Sequence, residues 1–329
     1  MKKILSILMI IGWLASASVL STATPQPPAG PAFLNPDQTT EMPEAWRQQP
    51  VRHADTVGAV DLAISLDQHL YPALLPLIQA FGAQQGLKIA VQEGTCGISA
   101  GGLQKKAVDI GGFCCPPAAT DRLPGLRFHT LGIAPISLLV NAANPLNDLD
   151  LEQARALFGG RIGYWRDLDP AAAKLGRVQS VGRLHCKLRP GHWRLLLPDE
   201  EAFSPRLQEV STIPDMLDAV ARDRGALGYE VLWMLSSFTQ ASKIKALRLN
   251  GIDPADSVRV LSGHYPLYRT YNITTWDEEP ARNAHVQDLL IFLRGHSSQS
   301  LEEHGIIPAA RLREAGWRFR DAELIGEPE

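Results

Sequence analysis

The chain has 329 residues, 45% hydrophobic and 20% charged, with a formal net charge of -3 at pH 7. That balance describes a globular protein able to bury a large core, and it excludes a disordered polyelectrolyte or a scaffold that depends on its four cysteines. Charges of both signs are scattered, so there is no basic stripe for nucleic acid and no acidic tail.

Residues 1–23 read as a secretory signal peptide: Met1-Lys2-Lys3, a short apolar run, then small residues that place cleavage after Ala17 or Ala23. Export into an oxidising compartment, the periplasm, is therefore expected. Proline recurs through residues 24–57 too often for helix or central strand, which predicts an extended, partly disordered leader. From residue 58 the pattern is strand 61–65, helix 71–86, strand 88–92, a Gly-rich turn with a helix, and strand 108–113. A buried strand follows at 132–142, then a helix at 150–160 with Asp150 as cap and a Gly stop. Strand 178–182, helix 212–225, the apolar stretch 226–235 and a terminal helix at 284–296 complete the series. Strands alternating with helices predict an α/β fold of mostly parallel sheets flanked by helices. The exported part is long enough for two units of ordinary size.

Five segments resemble, in register, the phosphate-binding family of periplasmic solute-binding proteins, the receptors of ABC importers. They are "GTCGISAGGLQKKAVDIGGFCCPP" (94–117), "APISLLVNAANPLNDLDLEQARALFGGRIGYWRDL" (134–168), "VSTIPDMLDAVARDRGALGYEVLWML" (210–235), "GHYPLYRTYNITT" (263–275) and "VQDLLIFLRGHSSQSLEEHGIIP" (286–308). The resemblance implies a two-lobed periplasmic binding protein of type II, its lobes joined by two crossing strands and holding ligand in the cleft. Lobe 1 would comprise 58–137 plus 263–329 and lobe 2 residues 138–262. It also implies a monomer, and delivery of ligand to an ABC permease or a membrane sensor kinase. Tyr229 and Trp165 fall at positions that pack the second lobe.

In that family backbone N–H groups at helix N-termini, Ser/Thr hydroxyls, an Arg and an acidic residue hold the phosphate. The matching loops here read Gly94-Thr95-Cys96-Gly97, Phe113-Cys114-Cys115-Pro116 and Gly182-Arg183-Leu184-His185-Cys186-Lys187-Leu188-Arg189. Cys114 takes the position of the family's Ser and Cys115 the next, Arg/Asp position. Every cysteine thus falls in a segment that the resemblance turns toward the cleft. Thiolates prefer soft centres such as Cu(I), Zn(II) or trivalent arsenic over phosphate oxygen, so a soft metal or metalloid is the first expectation for the ligand. His185 and His69 are the imidazole candidates, with His192 weaker. Arg183, Lys187 and Arg189 beside Cys186 would favour its thiolate. Thr95 or Ser99 could serve as the hydroxyl of the first loop, with Gly97 as backbone donor.

Several alternatives stay open. Four cysteines in an exported protein also suit two disulfides, with phosphate or another oxyanion held by Arg183, whose donor fork suits an oxyanion. A third is a thiol-disulfide redox protein. Asp109 is expected to cap its own turn, and Asp67 to cap the helix starting near Leu70 or to bind ligand. No metalloprotease, Ser-hydrolase, Walker or dinucleotide motif is present, so an enzyme is not expected and no cofactor is implied beyond the soft ion.

Overall fold

The computed structural model describes residues 30–54 and 58–329; the signal-peptide segment and the start of the leader lie outside them. The described leader is docked, contrary to a loose reading of its prolines. Its short helix α1 (Glu44–Arg47) sets Trp46 against Trp276 at 5.8 Å, and the Trp46 indole donates to Gln104 O. Upstream, Gly30 N–H donates to Arg194 O and Gly191 N–H to Pro31 O. Prolines prevent a ladder, but side-chain packing and single hydrogen bonds suffice to order the segment.

The first lobe follows the expected order: β1 (Leu62–Asp67), α2 (Tyr71–Gln85), β2 (Ile89–Gly94), α3 (Cys96–Gln104) and β3 (Ile110–Phe113). Proline in its first turn starts α2, and Gly86 at φ 67 ends it in the left-handed conformation that only glycine adopts without cost. β1 pairs in parallel with both β2 and β3.

β4 (Leu126–Asn141) then passes from one lobe to the other. Its first part pairs antiparallel with β10, ending at Pro135 opposite Tyr268; from Ile136 onward it pairs with β8, and from Leu138 also with β9. Pro135 lacks an N–H, so it costs nothing at the point where ladder partners change. The second lobe is built from β5 (Asp148–Leu149), α4 (Leu151–Phe158), β6 (Gln179–Gly182), β7 (Gln208–Glu209), α5 (Ile213–Arg222), β8 (Ala226–Val231), α6 (Leu232–Ser236), β9 (Ile244–Leu249) and α7 (Ser257–Leu261). Asp150 and Gln153 form a reciprocal capping box on α4, and Thr212 caps α5.

The chain returns along residues 262–267 into β10 (Tyr268–Trp276), then α8 (Ala284–Glu303), β11 (Ile307–Pro308), α9 (Ala309–Glu314) and the hairpin β12 (Arg318–Arg320) and β13 (Glu323–Gly326). The sheets keep parallel centres, β2-β1-β3 and β7-β6-β8, while β4, antiparallel to β10 in the first lobe and to β8 in the second, joins them. α8 covers α2 through Phe81 and Phe292, 5.4 Å apart. Among the described residues no helix is long and apolar enough to cross a membrane.

Candidate functional site

The carboxyl ends of β1, β3, β6 and β8 converge on one interlobe region, where ligands of open α/β sheets bind. β1 ends at Asp67, α3 begins at Cys96, and Cys114 and Cys115 follow β3. β10 runs antiparallel to β3, so Arg269 near its start lies on the same side. From the second lobe, Arg183 to Cys186 leave the end of β6, and Glu230 sits near the end of β8.

The sulfurs meet there. Cys114 Sγ lies 3.2 Å from Cys96 Sγ and 3.9 Å from Cys115 Sγ, and all three fall within 4.8 Å of one another. Cys186, arriving from the second lobe, lies close enough for its ionisation to depend on the three, and it is the one of the four that is not fully buried. It also lines a depression of about 440 Å³ with Phe113, Asp121 and Arg189, which gives the cluster contact with solvent. All four are free thiols, so the bridged pairs weighed from the sequence are not what the structure contains; even the closest sulfurs are at non-bonded distance, since a disulfide needs about 2.05 Å.

Packed thiols cannot all ionise. The Cys114 thiol is held well below the usual range by its neighbours Cys115 and Cys96, and the Cys186 thiol is likewise lowered by the thiols and by Arg189. Cys96 and Cys115 are pushed well up.

Around the sulfurs runs a closed ring of polar contacts. The Cys96 thiol donates to Asp67 Oδ2 (3.6 Å), Asp67 Oδ1 pairs with His69 Nδ1 (2.7 Å), and His69 Nε2 reaches Glu230 Oε1 (3.1 Å). Arg269 Nη2 donates to the same Glu230 oxygen (3.3 Å) and its Nη1 to Cys114 Sγ (3.5 Å). Arg183 Nη1 donates to Glu230 Oε2 (3.1 Å). Burial opposes ionisation of Glu230, but Arg269, His69 and Arg183 outweigh it and hold its carboxyl well below the usual range. Burial also opposes the His69 imidazolium, and the carboxylates of Asp67 and Glu230 overcome it.

The residues expected from the sequence separate into two groups. Cys96, Cys114 and Cys115 form one group that His69 joins beside Cys114, Arg183 reaches the site through Glu230, Cys186 approaches from the second lobe, and Arg189 stands at the rim, where it pairs with Asp121 (2.6 Å) and approaches Cys96 O (3.5 Å). His185 is neutral, its pKa lowered to about 4 by burial and by Arg183, whose Nη2 donates to it (3.2 Å). His192 is buried, with neither ring nitrogen partnered, and stacks edge-on to Tyr229.

Four expected residues lie elsewhere. Thr95 is occupied as the α3 cap, Ser99 donates to Ser65 O (3.1 Å), Gly97 lies on the exposed outer turn, and Lys187 pairs with Glu200 in solvent. Asp109 caps no turn of its own; it accepts from Ala63 N, His53 and Asn283 and ties the leader, β1 and the approach to α8 together. Tyr229 and Trp165 are core, as expected.

Glu230 and Arg269 were missed. Arg269 is the R of the "YPLYR" segment, a signal that was in view; Glu230 sits in "GYEV" among apolar residues, where a lone acid in a buried strand is itself the signal.

The PBP superfamily domain matches residues 51–296, three quarters of the chain. Among curated proteins, the phosphate-binding protein PstS of Bacillus subtilis (strain 168) is 22% identical over 261 residues, covering 77% of this chain and 82% of that protein. Two solved structures share the fold. A Clostridium perfringens protein described as a phosphate ABC transporter substrate-binding protein with bound phosphate superposes with a TM-score of 0.64 at 15% identity, over 75% of this chain and 99% of that one. An ABC-type phosphate transport receptor from Vibrio cholerae gives 0.60 at 20% identity, with the same coverage. By the extent of that match, with β4 and the return into β10 joining two sheet-and-helix lobes as in these receptors, the chain belongs to the PBP superfamily and has its two-lobed fold.

Proposed function

We propose that this protein is an exported, monomeric solute-binding receptor serving an ABC permease or a membrane sensor kinase, and that its ligand is a thiophilic metal or metalloid ion held by Cys96, Cys114, Cys115 and Cys186. The observation that carries the ligand is the group formed by Cys96, Cys114 and Cys115, all within 4.8 Å of one another, with Cys186 approaching from the second lobe closely enough for its ionisation to depend on theirs. Metal–sulfur bonds of about 2.3 Å place coordinated sulfurs about 3.8–4.0 Å apart, which the 3.9 Å between Cys114 and Cys115 matches and the 3.2 Å between Cys96 and Cys114 falls short of. Binding requires no chemistry. An ion drawing Cys186 toward the three first-lobe thiols favours the closed form by its differential affinity for it.

The test is thermal unfolding of the reduced protein with Zn(II), Cu(I), arsenite, phosphate or sulfate. An ion at about 100 times its Kd adds about 2.7 kcal/mol, a Tm rise of several degrees. The expected result is such a rise with a thiophilic ion at one per chain; a response to phosphate alone would sink the reading.

Phosphate is the second reading. The relatives named above favour it, and so do the Nε–H groups of Arg183 and Arg269, both buried without a partner.

A further inference from the structure

We propose that Glu230 is the site's own anion, occupying the place between Arg183 and Arg269 that an oxyanion ligand would need, and that it makes this receptor reject phosphate and similar oxyanions. The inference deepens the preceding reading and rests on the interlobe site being where ligand binds.

The carboxylate is completely buried. Its two oxygens receive four donors: Arg183 Nη1 at 3.1 Å, Arg269 Nη2 at 3.3 Å, His69 Nε2 at 3.1 Å and the backbone N–H of Val231 at 2.9 Å. Two guanidinium groups, an imidazole and a backbone N–H are the donor types that hold a small oxyanion. They also come from both lobes: His69 follows β1 and Arg269 lies on β10, whereas Arg183 and Val231 belong to the second lobe. A bound oxyanion would bridge the cleft in the same way. Here a side chain covalently part of β8 does so, and the ring of contacts through Asp67, Cys96, Cys114 and Arg269 closes around it.

An incoming phosphate would find the Glu230-facing Nη donors of both arginines and the His69 Nε2 already taken, with only the guanidinium Nε–H groups unpartnered, and would stand beside a buried negative charge, where little solvent screens the repulsion. A cation at the thiols meets no such obstacle, because Glu230 leaves Cys96, Cys115 and Cys186 untouched.

The experiment is calorimetric titration of inorganic phosphate into the wild-type protein, Glu230→Ala and Glu230→Gln, with a parallel titration of Zn(II). Alanine opens a space lined by the freed donors; glutamine keeps the shape and removes the charge. The expected result is no detectable phosphate binding by the wild type and at least 100-fold tighter binding by Glu230→Ala. If Glu230→Ala folds only when phosphate is present, that dependence reports the same anion site. If it folds under neither condition, Glu230→Gln decides, and is expected to bind phosphate measurably. Tight phosphate binding by the wild type, or indifference of every folded variant to phosphate, overturns the proposal. A wild type that takes up neither Zn(II) nor phosphate, with a Glu230→Ala that gains phosphate, supports the role of Glu230 while removing the thiophilic cargo, so the two readings fail separately.

Discussion

The first lobe presents its share of the site from the ends of paired strands: Asp67 closes β1, Cys114 and Cys115 leave β3, and Arg269 sits on β10. The second lobe contributes Glu230 from a strand of the same kind, but its thiol comes from the irregular stretch that follows β6. There Cys186 and His192 adopt positive φ of 65° and 54°, and short 3-10 turns replace regular structure. The contrast separates two duties. Groups whose mutual distances must be held are anchored in ladders, while the thiol that meets them from across the cleft is carried on a segment with few regular hydrogen bonds, the kind that opens at low cost.

The strongest way to break this comparison is at Glu230, the framework residue of the looser lobe. Glu230→Gln is expected to destabilise the fold by about 3–5 kcal/mol, because it leaves buried cations without their partner; a denaturant midpoint unchanged within error would show that the guanidinium pair does not depend on it.

Next comes Cys114, which touches Cys96, Cys115 and Arg269. Cys114→Ala is expected to weaken thiophilic-ion binding at least about 100-fold, or about 2.7 kcal/mol, as read by competition with a chromogenic chelator. Cys186→Ala should cost only about tenfold, near 1.4 kcal/mol, because it removes the loop's contribution and leaves the framework thiols in place. Equal losses from the two variants would erase the distinction between lobes.

A control away from the cleft is His129 on β4, whose pKa burial and then the nearby Arg294 and Arg127 lower to about 4. Its folded value lies below the unfolded one, so the unfolded chain takes up the proton first as pH falls. The stability it confers is complete above about pH 6.5 and declines toward pH 4, with about 2 kcal/mol lost by pH 5. His129→Gln should flatten that part of a Tm-versus-pH curve, and an unchanged slope would refute the assignment. The smallest effect is expected at Lys187, which pairs with Glu200 in solvent. Lys187→Ala should leave Tm and ion binding unchanged.

Much of the framework was legible in the sequence. The alternation of strands and helices and the Asp150 cap are local signals, and the structure places those elements where the pattern does. The four cysteines could be assigned to cleft loops through the resemblance. Ser99 could not be separated from Cys96, because three residues along one helix turn decide which of them faces β1 and which faces the cleft. Lys187 looked like an electrostatic partner of Cys186 for the same reason: adjacency in sequence is not shared direction. The packing of the described part of the leader was not legible, because proline content reports lost ladder bonds and says nothing about a tryptophan pair formed with residue 276.

The sequence by itself determined the α/β alternation, since periodicity and turn chemistry act over a few neighbouring residues, and its resemblance turned the three cysteine-bearing segments toward one cleft. Only the tertiary structure decided that Cys96, Cys114 and Cys115 meet, and that Glu230 pairs with both Arg183 and Arg269. Contacts between residues 39 and 161 positions apart depend on how two lobes close on each other, and no local pattern encodes that closure.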